Sequence, residues 1–135
     1  MIGILIVAHD PVAGSLVEAI RHVLGNVPPQ LAALDVARDA MPEAVLERAQ
    51  NLVAQLDGGD GVLVCSDICG ATPCNVATRL SQPGKVHVLS GLNLPMLLRA
   101  INYRHLGLDE LTEKAAEGAR NGVMRMERND AARKN

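Results

Sequence analysis

The residues best suited to chemistry are a histidine, an aspartate and a threonine that follow short apolar runs. His9 comes after the apolar run 2–8, and Asp67 and Thr72 come after the run 61–65. A carboxylate that accepts the Nδ1–H of a histidine fixes its tautomer and leaves Nε2 free as a nucleophile. His9 and Asp67 therefore form a candidate reactive pair if the fold brings them together.

The residues after His9 are suited to the start of a helix. Asp10 is a candidate N-cap, and Pro11 fits the first helical turn, where its missing N–H costs nothing. The positive end of a helix dipole and its unpaired N–H groups favour a phosphate. We therefore predict that His9 and Asp10 lie at an anion-binding helix end.

The segment 67–73 has the same arrangement. Thr72 is a candidate cap and Pro73 a candidate first helical residue, while Gly70 and Ala71 are small enough to let the backbone approach a bound group. We predict that Gly70, Ala71 and Thr72 contact a phosphoryl group.

The elements that must position these loops alternate along the chain. Apolar runs rich in β-branched residues predict buried parallel strands at 2–7, 30–36, 61–65 and 85–90. Periodic apolar residues predict helices at 12–24, 42–56, 73–80, 94–106 and 109–121. This βα alternation predicts a small doubly wound α/β fold with helices on both faces and strand order 2-1-3-4, whose functional crevice lies at the carboxyl ends of the strands.

Composition excludes several classes of partner. The net charge is -2, with no Phe, no Trp and one Tyr, which disfavours binding to nucleic acid. The run 2–8 has no basic residues before it, so we expect neither a signal peptide nor membrane insertion but a cytoplasmic protein. The cysteines, Cys65, Cys69 and Cys74, miss the spacing of structural zinc sites, so we expect free thiols and no metal.

Four ordered blocks of sequence resemble the IIA components of the mannose type in the bacterial sugar phosphotransferase system. These blocks are A-H at 8–9, D-x-x-G-A-T-P-x-N-x-A at 67–77, G-L-N-L-P-M-L at 91–97 and G-V at 122–123. The resemblance covers nearly the whole chain, as a phosphocarrier domain at 1–126 followed by a polar tail at 127–135. The sequence departs from the family pattern at Asp10, where a small residue is frequent, and at Cys69, where an aromatic residue is frequent.

The resemblance implies a function for His9, Asp67 and Thr72. His9 accepts a phosphoryl group from the phosphocarrier protein HPr and passes it to a IIB component, Asp67 orients His9, and the loop of Thr72 contacts the phosphoryl group. It also implies a homodimer in which a C-terminal strand at 123–126 is exchanged. We expect no cofactor, because a phosphohistidine donor is already energetic enough for transfer.

Other functions remain open at this stage. The same fold and histidine suit the phosphocarrier subunit of a dihydroxyacetone kinase, and a purely regulatory role is equally compatible. An aspartate-phosphorylated receiver domain would use Asp67, but the acidic pair expected after the first strand is absent. A module without enzymatic activity that binds metal or reacts through thiols would use Cys69, Cys74 and His9. The remaining histidines are predicted to be structural, namely His22, His87 and His105.

Overall fold

Residues 1–128 form four strands and five helices in strict alternation up to the last helix pair. The structure, a computed structural model, describes residues 1–128 of the 135. The strands are β1 (Gly3–His9), β2 (Leu31–Val36), β3 (Val62–Ser66) and β4 (Val86–Leu89). The helices are α1 (Val12–Leu24), α2 (Pro42–Leu56), α3 (Thr72–Arg79), α4 (Leu94–Asn102) and α5 (Leu108–Asn121).

The strands form one parallel sheet in the order β2-β1-β3-β4. Helices α1, α4 and α5 cover one face, and α2 and α3 cover the other. This confirms the predicted doubly wound fold and its strand order. The winding reverses between β1 and β3, so the crevice predicted for the site lies where β1 and β3 end side by side.

Alternate residues of β1 point into different apolar layers. Ile4 and Ile6 pack in the layer of α1, α4 and α5, whereas Leu5 and Val7 pack in the layer of α2 and α3. All four are fully buried, as expected for a central strand of a parallel sheet. The alternation continues to His9, which ends β1 on the side of α2 and α3.

Several predicted boundaries differ from the structure, most of them by one residue, and three of them concern the site or Arg104. His9 belongs to β1 instead of the following loop, because it pairs with Val36 and the Asp10 N–H donates to the Val36 carbonyl (3.0 Å). Helix α3 begins one residue earlier than predicted, at Thr72. Helix α4 was predicted to reach residue 106 but ends at Asn102, before a turn that directs Arg104 inward.

The C-terminal segment lies outside the sheet in this single chain. No strand is present at 123–128, where the side chains of Val123, Met124 and Met126 are 67–80% exposed. Strand β4 is at the edge of the sheet, next to β3. The exchanged strand at 123–126 stays a prediction, and most of the predicted tail at 127–135 lies outside the described residues.

Arg104 joins the amino ends of β1 and β2. Its buried guanidinium donates from Nε and Nη2 to the Ile2 carbonyl (3.0 and 2.8 Å), from Nη2 to the Gln30 carbonyl (2.8 Å) and from Nη1 to the Pro29 carbonyl (2.6 Å). Burial lowers the pKa of Arg104 from its ordinary value. These bonds satisfy the donors of the buried guanidinium and connect three backbone carbonyls, of which that of Gln30 also accepts the Ile4 N–H at 2.9 Å.

Replacing Arg104 by methionine should therefore destabilise the fold strongly. Arg104→Met keeps an unbranched apolar stem but removes the donors to Ile2 and Pro29, so we expect the free energy of unfolding to fall by about 2–4 kcal/mol. Urea unfolding followed by circular dichroism measures this. Arg48→Met, at an exposed position of α2 without a hydrogen bond or ion pair among residues 1–128, should change it by less than about 0.5 kcal/mol. Equal effects of the two substitutions would contradict the assignment.

Candidate functional site

The site lies at the carboxyl edge of the sheet, where β1 and β3 end next to each other. Val7 pairs with Ser66, so His9 and Asp67 follow on adjacent strands. The loop after β4 holds the end of β3 in place: the Gly91 N–H donates to the Asp67 carbonyl and the Leu92 N–H to the Ser66 carbonyl, both at 3.0 Å. Parallel pairing thus brings together residues that are 58 positions apart in the chain.

One oxygen of Asp67 contacts both the ring and the backbone of His9. Asp67 Oδ2 lies 2.8 Å from His9 Nδ1 and accepts the His9 backbone N–H at 3.0 Å, while Oδ1 accepts the Ile68 N–H at 2.9 Å. Since an ionised carboxylate only accepts, Nδ1 carries the hydrogen and the lone pair of the neutral ring is on Nε2. The His9 side chain is 45% exposed and the Asp67 side chain is 17% exposed. Nε2 therefore belongs to a solvent-accessible ring whose other nitrogen is bonded to Asp67.

The environment of Asp67 favours its ionised form. Burial raises its pKa, but the hydrogen bonds from the His9 backbone and ring and from the Ile68 N–H outweigh burial, so the pKa of Asp67 lies below its usual value of 3.8. A receiver-type role for Asp67 as the phosphorylated group is disfavoured, because both carboxylate oxygens already accept hydrogen bonds.

The amino end of α1 is occupied by a residue that the sequence analysis did not identify. Asp35 of β2 accepts the Ala13 N–H at 2.9 Å and the Gly14 N–H at 3.2 Å. The prediction that Asp10 caps α1 was wrong. Pro11 is the N-cap residue, and its side chain makes no hydrogen bond to the helix. A lone acidic residue near the end of a predicted strand was the signal that would have found Asp35.

The amino end of α3 remains available at the site. Ala71 is the N-cap and makes no side-chain capping bond, and Thr72 is the first helical residue, so the prediction that Thr72 caps this helix was also wrong. The Thr72 hydroxyl makes no hydrogen bond among residues 1–128. Gly70 has φ +91°, a conformation that side chains disfavour, and it turns the chain toward α3.

A comparison with protein families gives one match that covers most of the chain. The family model EIIA-man, described as PTS system fructose IIA component, matches residues 3–116. The chain belongs to this family. The resemblance read from the sequence is thereby confirmed.

Individual relatives agree with the family match. The IIA chain is 30% identical over 125 residues to the PTS system mannose-specific EIIAB component of Escherichia coli K12, covering 90% of this chain and 38% of that protein. It is 28% identical over 122 residues to the transcriptional regulatory protein LevR of Bacillus subtilis, covering 86% of this chain and 13% of that protein. The chain thus spans well under half the length of both relatives.

A solved structure shares the fold. The crystal structure of phosphotransferase system component EIIA from Streptococcus agalactiae superposes with a TM-score of 0.83 at 28% identity, covering 93% of the IIA chain and 97% of that chain. Within residues 1–128, none of the helices combines the length and apolar character needed to cross a membrane.

The surface around His9 in this IIA chain includes several exposed apolar side chains. Val12 at the start of α1, Met41 before α2 and Ile68 before α3 are large exposed hydrophobic residues at the carboxyl edge of the sheet. A cavity of about 710 Å³ lies at the opposite edge, lined by residues such as Pro28 and Arg104, and one of about 260 Å³ lies at the carboxyl end of β4, lined by residues such as Ser90 and Asn93; His9 lines neither. The partly exposed His9 ring therefore lies on an open surface of the kind that a protein partner covers.

The cysteines and the other histidines contribute no second centre in the described part of the chain. Cys69 is exposed beside the site, whereas Cys65 and Cys74 are buried, and burial raises the pKa of the Cys65 thiol to about 12. Residues 1–128 contain no group of three or more side chains able to hold a metal ion. The other histidines lie elsewhere: His22 is exposed on α1, His87 Nδ1 contacts Thr112 Oγ1 at 2.8 Å, and His105 stacks on Tyr103.

The pKa of Asp67 predicts how its contribution to stability depends on pH. Because its folded pKa is below the ordinary value, the ionised carboxylate stabilises the fold above that value, and this stabilisation is lost as the pH falls through the folded pKa. The difference in unfolding free energy between wild type and Asp67→Asn should be largest above about pH 5 and should narrow below about pH 4. Urea unfolding at a series of pH values measures it.

The matched control is Asp39→Asn, an exposed aspartate near the same edge whose side chain makes no hydrogen bond among residues 1–128. Its effect on the unfolding free energy should stay close to zero throughout. A wild-type advantage over Asp67→Asn that does not narrow in acid would show that the charge of Asp67 does not stabilise the fold.

Proposed function

We propose that this IIA chain is a cytoplasmic phosphocarrier that takes a phosphoryl group from phospho-HPr onto His9 Nε2 and passes it to a IIB component. The observation that carries the proposal is the contact of 2.8 Å between His9 Nδ1 and Asp67 Oδ2. This contact directs the basic nitrogen of an exposed ring away from the protein, which is what transfer between two protein surfaces requires.

The transfer needs few groups besides His9. The Nε2 lone pair attacks the phosphorus in line, the N–P bond to Nε2 forms as the donor N–P bond breaks, and the electron pair of the broken bond returns to the donor imidazole. Asp67 stabilises the positive charge that develops on the His9 ring through its bond to Nδ1–H. Positioning and electrostatics supply most of the catalysis in such transfers.

The amino end of α3 supports the phosphoryl oxygens in this proposal. Its first-turn N–H groups donate to no side chain at the N-cap position, and Gly70 lets the backbone approach. The Thr72 hydroxyl stands beside them at the first helical position. Helix α1 contributes less than the sequence suggested, because Asp35 accepts the N–H groups of Ala13 and Gly14.

The names of relatives support both transport and regulation as contexts for this carrier. One relative is a mannose-specific EIIAB component and another is a transcriptional regulatory protein. We propose transfer to a IIB component because the EIIAB relative combines the two parts in its name. If a dihydroxyacetone kinase is the acceptor instead, only the second step of the proposal, transfer from His9 to a IIB component, is replaced.

The first test is labelling of His9. Wild type incubated with enzyme I, HPr and phosphoenolpyruvate should gain the mass of one phosphoryl group, stable at neutral pH and lost in acid. His9→Ala should show no gain while keeping the wild-type circular dichroism, because the partly exposed ring contributes little to the core. Intact-mass spectrometry measures the gain.

The matched control is His22→Ala, which removes an exposed histidine of α1 and should label like wild type. Labelling of His9→Ala would exclude His9 as the acceptor, and no labelling of wild type would exclude the phosphocarrier function. Adding candidate IIB and dihydroxyacetone kinase acceptors to the labelled protein then identifies which of them removes the phosphoryl group.

We also propose that the chain is a homodimer in which residues 123–126 of one copy pair with β4 of the other. The segment presents Val123, Met124 and Met126 to solvent, and β4 lies at the sheet edge. An edge strand offers unpaired backbone groups that an exchanged strand satisfies, and pairing would cover the exposed apolar side chains.

Light scattering after size exclusion tests the dimer. Wild type should have twice the 14.3 kDa mass of the chain. The double variant Met124→Asp, Met126→Asp should be monomeric, because charged side chains oppose burial against β4. Met41→Asp introduces the same change at an exposed methionine outside this segment and should remain dimeric. A monomeric wild type, or a dimer that survives the double substitution, would contradict the proposal.

A further inference from the structure

The carboxylate of Asp10 makes no stabilising contact within residues 1–128. Asp10 is exposed and directly follows His9, and its backbone N–H donates to the Val36 carbonyl at 3.0 Å. Its carboxylate makes no hydrogen bond or ion pair with any residue of the described range 1–128. The capping role that would explain an acidic residue here belongs to Asp35.

The neighbouring charges do not neutralise Asp10. Arg38 and Asp39 are exposed in the loop after β2, and no ion pair within residues 1–128 joins Arg38 to Asp10. The formal charges of Arg38 and Asp39 are opposite and sum to zero. The negative charge of Asp67 is engaged by His9 itself. Asp10 is therefore an uncompensated negative charge one residue from the histidine that would receive a phosphoryl group.

We infer that Asp10 raises the free energy of phosphorylated His9 relative to the free histidine, and so makes His9 a stronger phosphoryl donor toward the acceptor. The inference rests on the proposed phosphocarrier function. An ionised carboxylate has no hydrogen to donate to phosphoryl oxygens, so Asp10 repels the group and does not bind it. The sequence-based expectation that Asp10 helps to bind the phosphoryl group is replaced by this role.

The expected size of the effect follows from distance and screening. Cα atoms of adjacent residues are about 3.8 Å apart, which keeps the Asp10 carboxylate within roughly 14 Å of a group on the His9 ring. Transfer adds one net negative charge to His9, because the charge on the phosphoryl oxygens is partly offset by the positive ring that keeps its Nδ1–H, and water screens the repulsion from an exposed carboxylate. We expect the equilibrium constant for transfer from phospho-HPr to His9 to rise about two- to five-fold when the charge of Asp10 is removed.

A different role for Asp10 predicts a different result. If Asp10 instead pairs with a cationic side chain of the donor protein, removing its charge slows the forward and reverse transfers alike and leaves the equilibrium constant unchanged. An ion pair that exists only while the two proteins are docked does not alter the final populations of the separated proteins. The equilibrium constant therefore distinguishes an electrostatic effect on the phosphohistidine from an effect on docking.

The experiment mixes purified phospho-HPr with each unphosphorylated variant at neutral pH and reads the four species by intact-mass spectrometry until their populations are constant. Asp10→Asn should raise the equilibrium constant about two- to five-fold at low salt and by less at about 0.5 M salt. Asp10→Glu should restore the wild-type value. Glu110→Gln, which removes an exposed carboxylate in the first turn of α5, should leave it unchanged.

The possible outcomes distinguish the inference about Asp10 from the proposed phosphocarrier function. An equilibrium constant for Asp10→Asn equal to that of wild type overturns the inference while leaving the phosphocarrier function in place, and changed rates at that constant equilibrium would assign Asp10 to docking. Wild type that accepts no phosphoryl group from phospho-HPr overturns the proposed function and this inference with it.

Discussion

The site depends on one carboxylate oxygen that accepts two hydrogens from the same residue. Asp67 Oδ2 holds both the backbone N–H and the ring Nδ1 of His9, which fixes where the ring lies and which nitrogen remains free. The backbone of Asp67 is held in turn by the Gly91 N–H, and that of Ser66 by the Leu92 N–H. Strands β1 and β3 and the loop after β4 thus form a chain of supports for a single imidazole.

The amino ends of the helices near this edge have different uses. Asp35 accepts the first N–H groups of α1, and Asn93 accepts the Met96 N–H of α4 at 2.9 Å while its amide donates to the Ala119 carbonyl at 3.1 Å. Within residues 1–128, α2 and α3 both begin without a side-chain bond from the N-cap position. Of these two helices, α3 follows the loop that contains Asp67, and its uncapped end retains N–H groups of the kind that bind anions.

A core made almost entirely of aliphatic side chains is sufficient to hold this arrangement. The central strands β1 and β3 are buried on both faces, and the His9 ring reaches solvent at the carboxyl edge of the sheet. The close approach of α5 to α4 requires Gly118, because a Cβ there would lie 2.8 Å from the Arg99 Cβ. Such packing is rigid, so the geometry of the site is set before a partner arrives.

The sequence alone determined the order of elements, the parallel sheet and the identity of the residues at its carboxyl edge. Continuous apolar runs and periodic helices are local signals, and the rule that crevices form at carboxyl ends of parallel strands connects them to His9 and Asp67. Helix bounds such as those of α1 and α2 follow from the same local patterns. The family blocks added the expected chemistry, and the family match agrees with them.

Only the tertiary structure decided how the polar groups are shared at that edge. Asp10 and Thr72 both had the sequence context of a cap, yet Asp35 from another strand serves α1, and the N-cap position of α3 provides no side-chain bond. The end of α4 was likewise decided by the inward bonds of Arg104 to Ile2 and Pro29. Hydrogen bonds between residues distant in sequence leave no local pattern, because what selects them is the packing of strands and helices in three dimensions.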